Sequence, residues 1–275
     1  MPEQFASPLP EFDRPPVSEV ALSIEFLPLQ GWRTPHSGLY WGRLQAQYPH
    51  TEVHPPLASQ IEKYGEEFWQ QPMIRVEVVN PDISRFWFLD DTRTRLIQVQ
   101  RDRFIVNWRK VRGDEIYPRY EDDLRPRLER EWGRFKQFVA DSHIGDIAVQ
   151  QCEVTYVNDM PAGDEWRTFA ESLRLFSPWW GRGSDGFLQR PETLMVQGSF
   201  ALGGEEGRLH FVSRHVRRNL DQKEAVQLML TARGRPKSSA DADVLGFMDI
   251  GREWVVRAFA DLTSAEAHKF WKRIR

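Results

Sequence analysis

The stretch from Leu96 to Arg109 alternates apolar and polar side chains, and this pattern limits the local fold more than any other feature of the chain. Successive side chains of a β-strand point to opposite faces, so a period of two predicts half-buried strands. Two such runs flank Arg101 and Asp102, which predicts a hairpin with its turn at these residues. One face is apolar, with Ile97, Val99, Phe104, Val106 and Trp108, and the other carries Gln98, Gln100, Arg103, Asn107 and Arg109.

The rest of the chain repeats one order of elements. Strand patterns over 19–29 and 147–157 begin the two halves, and amphipathic helix patterns over 122–141 and 244–262 close them. We therefore expect an α+β fold of two tandem β-α-β-β-β-α units, with antiparallel sheets covered by helices on one face. This order of elements resembles that of the helix-grip and TBP-like folds. The predicted divisions are 1–16, an extended proline-rich arm, 17–145, the first α+β unit, and 146–275, the second.

Other elements follow from the same patterns. A capping box of Thr263 and Glu266 predicts the start of a last short helix. Further helices are expected over 38–48 and 164–176, and further strands over 74–79, 85–89, 193–202, 208–217 and 225–232.

Composition favours a globular protein of the reducing cytoplasm. Hydrophobic residues make up 40% of the chain and charged residues 28%, which are ordinary values for a folded domain. Cys152 has no second cysteine to pair with, and the first residues lack the basic start and apolar run of a secretion signal. No apolar run approaches the roughly 20 residues that a membrane-spanning helix needs. We expect a cytoplasmic chain with no membrane segment.

Several stretches together resemble an uncharacterised, sporadically distributed bacterial family of about this length. They are PPVSEVALSIEFLPL, RLIQVQRDRFIVNWRK followed by YPRYE, EVTYVND, and AFADLTSAEAHKFWKR. The QVQRDRFIVNWR segment is the most specific of them. The resemblance implies a bacterial origin and a mobile or defence-associated gene, and it supplies no catalytic residues.

The polar side of the predicted hairpin is the leading candidate site. Amide and guanidinium groups form the directional hydrogen bonds that recognise a peptide backbone, a carboxylate or a phosphate. A polar network between the two halves and a solvated sheet face are the structural alternatives. The pattern thus predicts a non-enzymatic protein that binds a protein, a peptide or a small anionic ligand. The residues expected to bind are Gln98, Gln100, Arg103, Asn107 and Arg109.

A second hypothesis is nucleic-acid binding by a basic strand. Arg208, His210, Arg214 and Arg217 lie on one predicted strand, and alternation places the first three on one face. Local positive charge of this kind binds phosphates, although stacking aromatic side chains are scarce there. The net charge of the whole chain is -3, which does not itself favour nucleic acid. Nearby acidic residues offer the alternative of simple ion pairing.

A third hypothesis is an enzyme whose site lies between the halves, with Glu25, Arg109 and His210 as participants. The sequence contains no familiar nucleophile, redox or zinc-protease motif to support it. His50, Glu52 and His54 are metal-ligand types, but strand residues four apart lie about 13 Å apart, so at most one adjacent pair could hold an ion. We predict a structural or surface role for them. We expect no metal site and no cofactor. Trp179 and Trp180 precede a glycine-rich loop at 181–186, which we expect to be an ordinary loop or, alternatively, an aromatic rim for a partner. The oligomeric state stays open.

Overall fold

The computed structural model describes residues 7–63, 84–163, 165–176, 194–203, 207–218 and 220–275. Within these ranges nine strands form one antiparallel sheet in the order β2-β3-β4-β5-β1-β6-β9-β8-β7. The strands are β1 Val17–Phe26, β2 His50–His54, β3 Arg85–Leu89, β4 Arg95–Gln100, β5 Arg103–Arg109, β6 Val149–Pro161, β7 Met195–Ala201, β8 Gly207–Arg217 and β9 Glu224–Gly234. The helices are α1 Thr34–Leu44, α2 Arg125–Asp141, α3 Phe169–Ser172, α4 Asp241–Leu262 and α5 Ala265–Phe270.

The predicted fold class of two tandem β-α-β-β-β-α units is wrong. The central strand β1 pairs with β5 on one side and with β6 on the other, where Leu22 lies opposite Val154. The sequence left open whether the two halves share one sheet, and they do. Five strands precede α2 whereas four follow it among the described residues, so the chain is not two copies of one unit. Side-chain alternation is the same for an edge strand and a central strand, so it does not reveal which strands become neighbours. The mixed α and β content was predicted correctly.

The apolar face of the sheet carries the core. Val106 of β5, Leu22 of β1 and Val154 of β6 follow one another across the sheet, and each is fully buried. The helix α2 turns Trp132 and Phe135 onto this face, where Phe135 stacks on Phe104 with ring centroids 5.0 Å apart. Because the apolar residues of α2 recur at three and four, they form the stripe that a sheet-covering helix needs. The opposite face of the sheet is the one we call the polar face.

Element boundaries differ from the predicted ones where local chemistry is decisive. The first helix begins at Thr34 rather than at residue 38, with Pro35 in its first turn. The helix expected over 164–176 is reduced to α3 and one 3-10 turn, Leu173–Leu175. The last helix is capped by Ser264, whose hydroxyl accepts from the N–H of Ala267 at 3.1 Å, rather than by Thr263. The hairpin turn at Arg101 and Asp102 is confirmed. Two other predictions lie outside the described residues, namely the strand over 74–79 and the loop with Trp179 and Trp180.

None of the helices in the described part of the chain is both long and apolar enough to span a membrane.

Candidate functional site: the polar face of the sheet

All five side chains predicted to form the binding face lie on the polar face. Gln98 and Gln100 come from β4, and Arg103, Asn107 and Arg109 come from β5, with Gln100 directly opposite Arg103. They alternate with core residues of the same strands, which places them away from the helices. Four of the five are at most 7% exposed, and Arg109 is partly buried. The face is therefore not an ordinary solvated surface.

An extended segment of the chain crosses this face from strand to strand. We call residues 57–63 the strap. It follows β2 after Pro55 and Pro56, which lack backbone donors and favour an extended chain, so the strand cannot continue. Seven extended residues reach about 24 Å, which matches five strand spacings of about 4.8 Å. In chain order the strap contacts Gln100 on β4, Arg103 on β5, Glu25 on β1, Gln151 on β6 and Arg208 on β8.

Two glutamine side chains hold the main chain of the strap. The Gln100 amide accepts from the N–H of Leu57 at 2.9 Å and donates to the carbonyl of Leu57 at 3.0 Å. Gln151 accepts from the N–H of Glu62 at 2.8 Å and donates to the carbonyl of Gln60 at 3.1 Å. Each amide thus supplies one donor and one acceptor to extended backbone, as a neighbouring strand does. These contacts recognise a peptide chain without regard to its side chains.

Two side chains of the strap are also recognised. The hydroxyl of Ser59 donates to Glu25, whose other oxygen lies 2.5 Å from Arg103. Glu62 is 7% exposed and accepts from Arg208 at 2.5 Å through one oxygen, and its other oxygen lies 2.8 Å from Nε2 of His210. The strap is therefore fastened by its backbone along its length and by a carboxylate near its end.

Burial and charge act in opposite directions on the acidic groups of this region. Burial on its own raises the pKa of Glu62, but the hydrogen bonds from His210 and Arg208 outweigh it and lower the pKa below the ordinary value. Burial dominates at Glu25 and raises its pKa despite the adjacent Arg103. Glu62 is thus stabilised as the carboxylate, the form that pairs with Arg208 and His210.

A series of side-chain hydrogen bonds runs across the middle of the polar face. Arg85 donates to Gln98, Gln98 donates to Asn107, and Asn107 donates to Glu19, each at 2.8 Å. Burial raises the pKa of Glu19, although the Asn107 amide and the nearby Arg109 oppose that effect. Gln98 and Asn107 therefore bond to other side chains of the polar face, whereas Gln100 and Arg103 contact the strap.

Arg109 lies beside an aromatic stack at the other end of the face. The ring of Trp87 stacks on His54 with centroids 3.9 Å apart, and the guanidinium groups of Arg109 and Arg85 lie 5.1 and 5.4 Å from its centroid. The buried Nε1 of Trp87 has no hydrogen-bond partner among the described residues. This stack gives the face an aromatic end that the sequence pattern did not predict.

The residues of the nucleic-acid hypothesis are engaged in contacts within the protein. Arg208 and His210 contact Glu62, Arg214 donates to Gln227 at 2.8 Å, and Arg217 lies 3.9 Å from a carboxylate oxygen of Glu224. The positive charge of Arg208 is therefore largely matched by Glu62.

The three residues of the enzyme hypothesis do not converge. Glu25 pairs with Arg103, and Arg109 is six residues further along β5, which corresponds to about 20 Å. His210 lies on β8, where it faces Glu62 rather than Glu25. In the described ranges no group of three acidic, histidine or cysteine side chains is placed to hold a metal ion.

Sequence reasoning missed Ser59, Glu62 and Gln151, which make the strap contacts. Gln151 adjoins the buried Cys152 on β6, so the alternation of that strand was a usable signal for a polar-face residue. Nothing in the pattern of 57–63 shows that this segment lies across a sheet.

Comparison of the chain with protein-family models, with curated proteins and with solved structures found no match.

Proposed function

We propose that this chain is a non-enzymatic binding protein of the bacterial cytoplasm that holds an extended polypeptide of a partner on its polar face. The observation that carries the proposal is the pairing of the Gln100 and Gln151 amides with backbone groups of an extended segment. Main-chain hydrogen bonds provide affinity for any extended peptide, and side-chain pockets provide specificity.

The chemistry of the face favours a peptide over the other candidate ligands. A phosphate backbone would have to compete with Glu62 for Arg208 and His210, and among the described residues of this face the aromatic ring offered for stacking is that of the distant Trp87. A peptide needs alternating donors and acceptors, which amide side chains supply and guanidinium groups alone do not. The reducing cytoplasm accords with one cysteine, Cys152, which is buried in β6.

A selection from a random dodecapeptide library tests this function. The library is screened on the wild-type chain and on Leu57→Pro, which removes the strap N–H that Gln100 accepts. Affinities of the selected peptides are then measured for Leu57→Pro with and without Gln151→Leu. We expect a loss of about tenfold or more on Gln151→Leu, because two backbone hydrogen bonds disappear.

Gln137→Leu is the matched control, since Gln137 is an exposed glutamine of α2, a helix on the other side of the sheet. It should leave peptide affinity unchanged. Selection of no peptide on either chain, or of peptides that bind equally after Gln151→Leu, would contradict the proposed function.

A further inference from the structure

We infer that the strap is an internal ligand of the polar face, and that the peptide taken in its place carries an acidic side chain where the strap has Glu62. This inference rests on the proposed function and specifies both the ligand class and the regulation of that site. The strap competes with the partner for the same amides, so a partner peptide must displace it.

We call Arg208, His210 and Arg233, which surround the Glu62 carboxylate, the seat of Glu62. It is the most selective part of the polar face. Arg208 donates to one carboxylate oxygen, His210 contacts the other, and Arg233 lies 4.0 Å from the latter. Arg233 is itself paired with Glu153 at 2.6 Å, so Arg208 and His210 are the groups that bind the Glu62 carboxylate most directly. A neutral side chain would lose the charge-assisted contacts that the Glu62 carboxylate makes with Arg208 and His210, and such contacts are stronger than neutral hydrogen bonds.

The rest of the strap makes few demands on sequence. Its backbone is read by Gln100 and Gln151, while the side chains of Ala58, Gln60 and Ile61 are exposed. Ser59 is the second side chain that the face contacts, through Glu25. The ligand class is therefore an extended peptide with an acidic residue three positions after a small hydroxyl residue.

The strap also fits the role of a displaceable segment. It is joined to β2 through two prolines and is neither helix nor strand itself. Its attachment depends on individual side-chain contacts rather than on a continuous ladder, so loss of one strong contact weakens the whole attachment. Displacement exchanges equivalent hydrogen bonds, which lets a free peptide compete without rearranging the sheet.

The test measures binding of a labelled peptide, PPLASQIEK, by fluorescence anisotropy to the full chain and to two variants. Glu62→Gln loosens the strap and leaves its seat intact, so we expect the peptide to bind at least about tenfold more tightly than to wild type. Arg208→Gln removes the seat, so we expect binding weaker than to Glu62→Gln by a similar factor. The same peptide with Gln in place of its Glu should lose this affinity for the Glu62→Gln chain.

The two variants break one ion pair from opposite sides, which separates an internal ligand from a purely structural contact. Glu62→Gln combined with Leu57→Pro, which also removes the N–H that bonds to Gln100, is measured in parallel. A structural ion pair predicts no peptide binding to any of these three chains, and that result would overturn the inference. Glu129→Gln, an exposed acid on α2, is the control and should behave as wild type.

Failure of the inference and failure of the proposed function give different results. Peptides that bind the Glu62→Gln chain equally with Glu or Gln would overturn the acidic ligand class and leave peptide binding in place. No binding of PPLASQIEK to the loosened chain, together with library peptides that do bind, would overturn the internal ligand alone. No binding by any peptide would overturn both.

Discussion

Gln100 and Leu57 exchange two hydrogen bonds, with the side-chain amide of the first paired to the main-chain N–H and carbonyl of the second. The Gln100 side chain pairs with the main chain of Leu57 in the way that a neighbouring strand would. Gln100 is only 2% exposed. A buried amide with both ends satisfied stabilises the attachment of the strap, because an unsatisfied partner would carry the full cost of desolvation.

Replacing Gln100 with leucine should therefore destabilise the chain. Gln100→Leu keeps the approximate size and leaves two backbone groups of Leu57 unpaired, so we expect a loss of about 1–3 kcal/mol in the free energy of unfolding. Urea denaturation of the variant and of Gln137→Leu measures the difference, with the control within about 0.5 kcal/mol of wild type. Equal stability of the two variants would show that the pairing contributes nothing.

The pair Glu25 and Arg103 should behave as a unit. Both side chains are buried and lie 2.5 Å apart, so removing one leaves the other as an uncompensated charge. Arg103→Leu should cost about 3–5 kcal/mol, whereas the double variant with Glu25→Leu should cost less than that single change. A double-mutant cycle from denaturant unfolding measures the coupling, and strictly additive losses would argue against it.

The pH dependence of the strap follows from the lowered pKa of Glu62. A carboxyl whose pKa is lower in the folded state adds stability above the ordinary glutamate pKa, and this stability is lost as pH falls through the lowered value. Within the described part of the chain, Arg208, His210 and Arg233 are the charged or titratable groups that face it. An NMR titration of the Glu62 carboxyl should give a pKa below that of an ordinary glutamate in wild type and a higher one in Arg208→Gln. A wild-type titration at or above the ordinary value would refute this assignment.

Two glycines of α4 provide a paired test of packing on the apolar face. A Cβ on Gly251 would lie 3.0 Å from Cγ2 of Val154 and 3.4 Å from Cβ of Ala232, whereas one on Gly246 would meet nothing within 4 Å. Gly251→Ala should destabilise by about 1–3 kcal/mol, because Val154 or the helix must shift by a few tenths of an ångström in a closely packed core. Gly246→Ala should instead stabilise by up to about 1 kcal/mol, since alanine favours helix. Thermal unfolding of both variants compares them, and equal shifts would contradict the close approach.

The sequence was informative where a feature is local and much less so where it depends on distant pairing. Alternation identified the hairpin of β4 and β5 and placed Gln98, Gln100 and Arg103 on one face, as the structure has them. The pairing of β1 with β6 joins residues more than 120 positions apart, and no local pattern encodes it.

The strap shows the same limit at the candidate site. The residues from Leu57 to Lys63 have no periodicity, and their extended conformation depends on Gln100, Gln151 and Arg208. The side chains of the polar face were predictable from alternation, whereas the strap that they hold was not. Recognition of a backbone leaves little trace in the sequence that is recognised.

Residue-resolved amide hydrogen exchange at Leu57 and Glu62 measures whether the polar face holds the strap in solution. These are the two strap N–H groups that the glutamine side chains accept. We expect slow exchange at both positions in wild type, with faster exchange of Leu57 in Gln100→Leu and of Glu62 in Gln151→Leu. Exchange at the rate of an unprotected chain at both positions in wild type would contradict the claim that the polar face holds an extended polypeptide.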